Sequence, residues 1–361
     1  MNSNGRFICL VNLLALLVWS PVWAVIDTQE IETVHSRGTA GQRDIAVIDR
    51  FMEDAIQELV YARDFSSIAE IRSTILKYRG NGNDYTDQFI AAAHTHIANG
   101  FQLAEDLETE RCNRVRLNLL ILVDQLADTS LVDLAFAWVD SESEPVRFWA
   151  IKVLTSTAMV EAVNQGLSAP FLEQSMSSLN REVDSDNPNT LELIIQFAGQ
   201  LNVDAGRDLL DRIVSTRLQA YEQWSVRTPL LDAQLLEILY QHIQANGDDR
   251  LDCARYFAQL YSYVVQALIA GQHSLDQQVK NDLAAVVVGI EDQCLGDLLG
   301  RSQTTMKRAV EKMDWDAIRA EHDRLLGANG VRGELAQTLQ FNYGSLPDGR
   351  ERTGPKTLPA P

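Results

Sequence analysis

Three spacings in this 361-residue chain come nearest to ligand chemistry: His94-x-His96, Asp184-x-Asp186 and Gly80-x-Gly82. On a helix, side chains two residues apart diverge by about 200°, so His94 and His96 cannot jointly hold an ion. Asp184-x-Asp186 opens like a calcium loop, but such a loop wants glycine at its sixth position and glutamate at its twelfth. The chain has Asn189 and Ile195 there. Gly80-x-Gly82 lacks the third glycine and the preceding strand of a dinucleotide site. The sequence contains no HExxH zinc helix, no phosphate-binding P-loop and no Gly-x-Ser-x-Gly elbow. His35, His242, His273 and His322 stand apart along the chain. Acid pairs such as Glu105-Asp106 and Asp248-Asp249 read as helix-opening or surface charges. The residues thus predict no catalytic residue, no metal ligand and no cofactor.

The N-terminal segment gives the compartment. Residues 1–24 read as a cleavable secretory signal. Arg6 supplies the positive n-region, residues 7–19 the apolar stretch, Ser20 and Pro21 the break, and Val22 and Ala24 the small residues at the cleavage site. The mature chain is expected to be exported, periplasmic or extracellular, with no transmembrane segment after cleavage. Cleavage removes Arg6 and takes the net charge from −19 to −19 − 1 = −20. That balance opposes nucleic-acid backbones and anionic lipid.

Cleavage also removes Cys9, leaving Cys112, Cys253 and Cys294. An oxidising compartment permits disulfides. If helices at 249–270 and 275–294 form an antiparallel hairpin, Cys253 and Cys294 fall at the same end. A structural disulfide between them is the expectation, worth about 4 kcal/mol by loop closure; the alternative is three buried free thiols, with Cys112 the core cysteine in either case.

The elements that would position any site are helices. Only nine Pro and 20 Gly interrupt a chain that is 46% hydrophobic, which favours helix over a turn-rich sandwich. After an irregular lead at 25–42, apolar residues recur at helical spacing from 43 to 340, beginning with Ile45, Val47, Ile48, Phe51, Ala55, Ile56, Leu59 and Val60. No sustained two-residue alternation predicts a sheet. The last segment, 341–361, mixes Gly, Pro and charge without a period and is expected to be disordered. On the helix at 249–270, Tyr256, Phe257, Tyr261 and Tyr263 form an aromatic face that reads as core, with a partner groove as the sharper alternative.

Three helices open at a proline: Glu144-Pro145, Asn187-Pro188 and Thr228-Pro229. The separations are 43 and 41 residues, and proline suits a first helical turn. Acidic approaches precede two of them, 140–143 and 184–187. A helix pair recurring at about 42 residues is the period of a helical solenoid. Asp140, Val146, Arg147, Ala150 and Leu154 make this stretch similar to the HEAT/armadillo-like repeats, with Val115-Arg116, Leu119 and Leu122 as a partial second copy. Thr190 and Leu231 stand where later copies would carry the arginine.

The resemblance implies an all-α, right-handed superhelical array of antiparallel helix pairs. It also implies a protein- or peptide-binding scaffold or adaptor, which the export signal would place in the cell envelope or its exterior and whose partner the sequence does not name. The alternative from another class is an all-helical exported enzyme, a hydrolase or lyase on glycan or peptide, whose site spacing alone does not reveal. A third reading is a structural part of a surface layer.

Overall fold

The computed structural model describes residues 26–328 and 330–361, so the signal segment lies outside the described residues. The chain divides into two compact units, residues 1–96 and 97–361, where the periodicity alone predicts one domain.

In the first unit, α1 (Gln29–Arg37), α2 (Gln42–Tyr61) and α3 (Phe65–Lys77) pack in sequence order. The lead expected to be irregular therefore holds a helix. Ile31 and Val34, one turn apart, are buried on α2, and Gly38 at φ 68° ends the helix in the left-handed conformation. Two apolar residues are too few to show a period, but enough to dock one short helix. Ile48, Phe51, Met52, Ala55, Ile56, Leu59 and Val60 form the buried stripe of α2, as their spacing predicts. The division falls inside α4 (Asp84–Glu105). Tyr85 at its start donates to the Tyr78 carbonyl at 2.7 Å, which satisfies a hydroxyl in a wholly buried ring.

The second unit is an all-α stack of helix pairs. After α5 (Thr109–Leu126) and a 3₁₀ segment at Thr129–Trp138 come α6 (Glu144–Leu154), α7 (Thr157–Asn164), α8 (Ala169–Glu182), α9 (Pro188–Gln200), α10 (Asp204–Glu222) and α11 (Leu230–Ala245). Each of α6, α9 and α11 packs on the next of the three, with α10 against both α9 and the following helix, α12 (Arg250–Ala270). Polar contacts repeat the sequence period. Asn187 donates to Glu144 at 2.7 Å, 43 residues away; Arg227 reaches Asp186 at 3.0 Å across 41; Gln234 reaches Glu192 at 3.1 Å across 42. Equivalent positions of successive pairs are therefore neighbours in space, as stacking of HEAT/armadillo-like units requires.

Local chemistry sets the boundaries. Asn187 Oδ1 accepts from the amides of Asn189 and Thr190, so it caps α9. Thr228 contributes its carbonyl rather than its hydroxyl, accepting from Leu231 N and Arg217 Nη2. The periodicity over 147–163 predicts one helix, but Ser156 caps a new one through Met159 N and splits it into α6 and α7.

Between α10 and α11 lies a buried ion pair. Arg217 meets Asp232 in a two-point contact, Nε–Oδ1 2.7 Å and Nη2–Oδ2 2.9 Å, and the Tyr221 hydroxyl donates to the same carboxylate at 2.6 Å. Asp232 is wholly buried. Burial alone would lower the Arg217 pKa; the Asp232 charge and hydrogen bonds reverse the sign, and the net direction is up.

Downstream of α12 come α13 (Gln277–Ile290), a π-helical turn at Glu291–Leu295, α14 (Gly296–Leu298), α15 (Thr305–Glu311) and α16 (Trp315–Leu326). Two-residue strands β1 (Gly327–Ala328) and β2 (Val331–Arg332) form a minimal antiparallel pair ahead of α17 (Glu334–Leu339), where no sheet was expected. The disulfide expectation is also corrected: Cys253 and Cys294 are free and buried. Cys294 is buried within the π turn, and the Cys253 thiol lies 3.6 Å from Asp249 Oδ2. No helix among the described residues is long and apolar enough to cross a membrane.

Candidate peptide-binding surface

The segment expected to be disordered, 341–361, is ordered against the second unit. Phe341 and Tyr343 are buried, and Tyr343 donates to the Leu326 carbonyl at 2.9 Å. A turn follows, closed by Leu346 N to Arg350 O at 2.7 Å and Arg352 N to Gly344 O at 2.8 Å. The chain then passes β1 with no room for a side chain. A Cβ on Gly354 would sit 2.5 Å from the Gly327 carbonyl oxygen, and one on Gly327 would sit 2.6 Å from the Thr353 oxygen. Gly327 also holds φ 96°, a conformation that favours glycine.

Beyond Gly354 the chain runs along α12 and is held by its backbone. Gln259 Oε1 accepts from Lys356 N at 2.8 Å, and Gln259 Nε2 reaches Lys356 O at 3.4 Å. Gln266 Nε2 donates to the same carbonyl at 3.0 Å, and its Oε1 accepts from Leu358 N at 2.8 Å. Trp224 Nε1 donates to Pro359 O at 3.0 Å. The pattern is that of an extended strand: alternate residues turn both backbone groups to one side, so Lys356 and Leu358 face the helix and Thr357 does not bond to it. Gln259 and Gln266 are seven residues apart, which places them on one helix face two turns apart. They act as a short ladder of amides in place of a neighbouring strand.

The ladder has a buried foundation. Gln266 Nε2 also donates to Ser262 Oγ at 2.8 Å; Ser262 Oγ meets His322 Nε2 at 2.9 Å; His322 Nδ1 meets Asp323 Oδ1 at 3.0 Å. Burial lowers the His322 pKa despite the opposing Asp323 carboxylate, so the ring is neutral at pH 7. Nδ1–H then donates to Asp323, Nε2 accepts the Ser262 hydroxyl, and the serine oxygen accepts one Gln266 N–H. The other Gln266 N–H is left to point at the peptide carbonyl. Each link fixes the orientation of the next.

Ser262, His322 and Asp323 thus have the order of a hydrolase relay, but not its access. Ser262 is wholly buried in the middle of α12. The backbone amides of a helix interior are committed to the helix, so none is offered there to a developing oxyanion. The relay orients the Gln266 amide and joins α12 to α16. A cleft of about 800 Å3 opens beside it, lined by Gln266, Arg319, His322, Asp323, Arg350 and Arg352, among others.

This geometry carries a pH consequence. The folded-state pKa of His322 lies below the ordinary value of about 6.5. As pH falls through that value the unfolded chain takes up a proton that the folded chain resists, so stability is lost on acidification, by up to about 1.4 kcal/mol per pH unit. His322→Gln removes this dependence. The urea midpoint advantage of the parent over the variant is expected to shrink from pH 7.5 to 5. An unchanged gap would contradict the assignment of a neutral ring.

The spacings singled out from sequence are dispersed. His96 Nε2 pairs with Asp49 at 2.8 Å in the first unit. Asp184 binds Arg212 at 2.8 Å, and Asp186 binds Arg227. On α12, Phe257, Tyr261 and Tyr263 are core, as the bland reading predicts. The gripping residues are the intervening glutamines, which sequence reasoning passed over because a lone glutamine on a helix carries no spacing signal. His242 is not isolated: its Nδ1 lies 2.7 Å from Asp249 Oδ2. Trp224 has a sharper local mark, a positive φ of 54°, which a bulky residue adopts only under constraint.

No family model matches the chain, and no curated protein does. Among solved structures it is similar to a designed armadillo repeat protein in complex with the peptide (KR)4, at 12% identity and a TM-score of 0.38. That match covers 66% of this chain and 98% of the other. An engineered protein matches at 12% identity and a TM-score of 0.24, over 88% of this chain and 94% of the other. At such scores the fold assignment rests on this chain's own helix contacts.

Proposed function

We propose that this chain is an exported helical-repeat scaffold that binds extended peptide segments on the α12 surface. Its own residues 354–361 occupy that surface in cis. The observation that carries the reading is the double pairing of Gln259 and Gln266 with the backbone of Lys356 and Leu358. Amide side chains that bond backbone groups recognise extension rather than sequence, the logic of strand addition without a sheet edge. Export to the periplasm or exterior rests on residues 1–24; a mature N-terminus at Val25 would support it, and an intact Met1 would not.

The register makes the specificity concrete. Pro355 and Pro359 lack amide hydrogens, and the surface asks for none at those positions. It does ask for them at 356 and 358, so proline is excluded there. A proline scan of the peptide 354–361, competing against the labelled parent peptide for a chain ending at Thr353, tests this. Proline at register 356 or 358 should abolish competition, while the natural prolines at 355 and 359 can be replaced by alanine with little loss. Equal competition by all variants would refute backbone reading.

A further inference from the structure

A second cluster lies at the far end of α12 from Gln266. α11 is capped by Asn246, whose left-handed φ of 57° turns the chain sharply, and α12 starts three residues beyond Gly247. This turn brings His242, in the last turn of α11, against Asp249 and Cys253 at the start of α12. One atom of each, His Nδ1, Asp Oδ2 and Cys Sγ, lies within 4.8 Å of the others. His242 and Asp249 keep 18% and 17% of their side-chain exposure, so the cluster opens to solvent on one side, while Cys253 closes it from beneath.

We propose that His242, Asp249 and Cys253 form a three-donor site for a thiophilic divalent cation of the zinc class, with its fourth position open to water. Nitrogen, carboxylate oxygen and sulfur together suit a borderline-soft, tetrahedral ion better than the oxygen-seeking calcium or magnesium.

The geometry is close to what such an ion needs. With metal–nitrogen and metal–oxygen bonds of about 2.0 Å and a metal–sulfur bond of about 2.3 Å, tetrahedral edges are about 3.3 Å for N···O and about 3.5 Å for O···S. The Cys253 Sγ–Asp249 Oδ2 separation is 3.6 Å. His242 Nδ1 and Asp249 Oδ2, at 2.7 Å, must open by about half an ångström, which a χ adjustment at a helix end supplies.

Without the ion, both the imidazole and the thiol direct their hydrogens at one carboxylate oxygen, and the cation would take the place of those hydrogens. The histidine changes tautomer by exchange with solvent, losing the Nδ1 proton and gaining one at Nε2. The thiol proton leaves to solvent as the metal–sulfur bond forms. A dication then faces one thiolate and one carboxylate, and the site is neutral overall.

The surroundings favour a cation. The carboxylates of Asp211 on α10, of Asp252 and of Asp249 all bear electrostatically on Cys253. These carboxylates attract a dication, and its binding to the thiolate displaces the thiol proton. Tyr256 is held neutral by burial and by Asp211 and Asp252, Arg255 acts on it in the opposite sense, and Asp208 adds to the negative charge around Asp211.

Cobalt(II) titration of the purified full chain under reducing conditions is the test. The expected result is one ion per chain with a thiolate-to-cobalt charge-transfer band in the near ultraviolet. Cys253→Ser abolishes the band. His242→Gln weakens binding by about a hundredfold or more, since loss of even an outer-shell partner costs about 10–100-fold. X-ray absorption of the zinc-loaded parent protein should show one sulfur at about 2.3 Å, a readout that does not depend on any variant folding. An oxygen- and nitrogen-only shell, an unchanged spectrum in Cys253→Ser, or no binding by the parent would overturn the proposal.

Discussion

Asp232→Asn is expected to lower the stability of the second unit by about 3–5 kcal/mol, because it leaves the buried Arg217 charge without its counterion. The two hydrogen bonds from Arg217 and the one from Tyr221 all end on this carboxylate, so a neutral amide also returns one donor where only acceptors were wanted. The pair is not in itself a source of large net stability. Arg217→Met with Asp232→Leu and Tyr221→Phe removes charge and hydroxyl together, and should recover most of the loss. Urea unfolding of the single and triple variants checks this. A loss below about 1 kcal/mol in the single variant would mean that water or another group reaches the site.

The second large effect concerns the ladder. Gln259→Ala with Gln266→Ala removes three well-formed bonds to residues 356 and 358. At about 1 kcal/mol net for each bond, docking of the tail weakens by about 3 kcal/mol, on the order of a hundredfold. Amide hydrogen exchange reads this directly. In the parent chain Lys356 and Leu358 should be slow and Thr357 fast, an alternation that unstructured chain does not show. In the double variant all three should exchange quickly, while the α12 core amides stay protected. Alternation that survives the double variant would place the hold on the tail elsewhere.

The repeat was legible because it is written in local chemistry. Prolines at 145, 188 and 229 mark helix starts, and the polar contacts Glu144–Asn187, Asp186–Arg227 and Glu192–Gln234 join equivalent positions at the same spacing. The α2 stripe followed from period alone. Other features depend on partners far along the chain, and local pattern does not carry them. The tail looks unable to fold because it has no period of its own, yet its order comes from α12 side chains about a hundred residues earlier, Gln259 to Lys356 being 97 apart.

The disulfide expectation assumed that α13 continues as an α-helix to Cys294. The π turn at Glu291–Leu295 changes which way that residue faces. Likewise the His242–Asp249–Cys253 cluster spans a helix end, a left-handed asparagine and a new helix, a spacing that matches no linear metal motif. Gln259 and Gln266 are the clearest case: nothing about two glutamines seven apart announces a ladder until an extended chain is laid beside them.

Binding in trans tests the central claim most directly. A chain ending at Thr353 is titrated with a labelled peptide of residues 354–361 and followed by fluorescence anisotropy. The account predicts saturable one-to-one binding that is lost with Gln259→Ala and Gln266→Ala, and that is strongly weakened in the full-length chain, where the tail already occupies the surface. Absence of saturable binding to the shortened chain, or equal binding by the double variant, would contradict it.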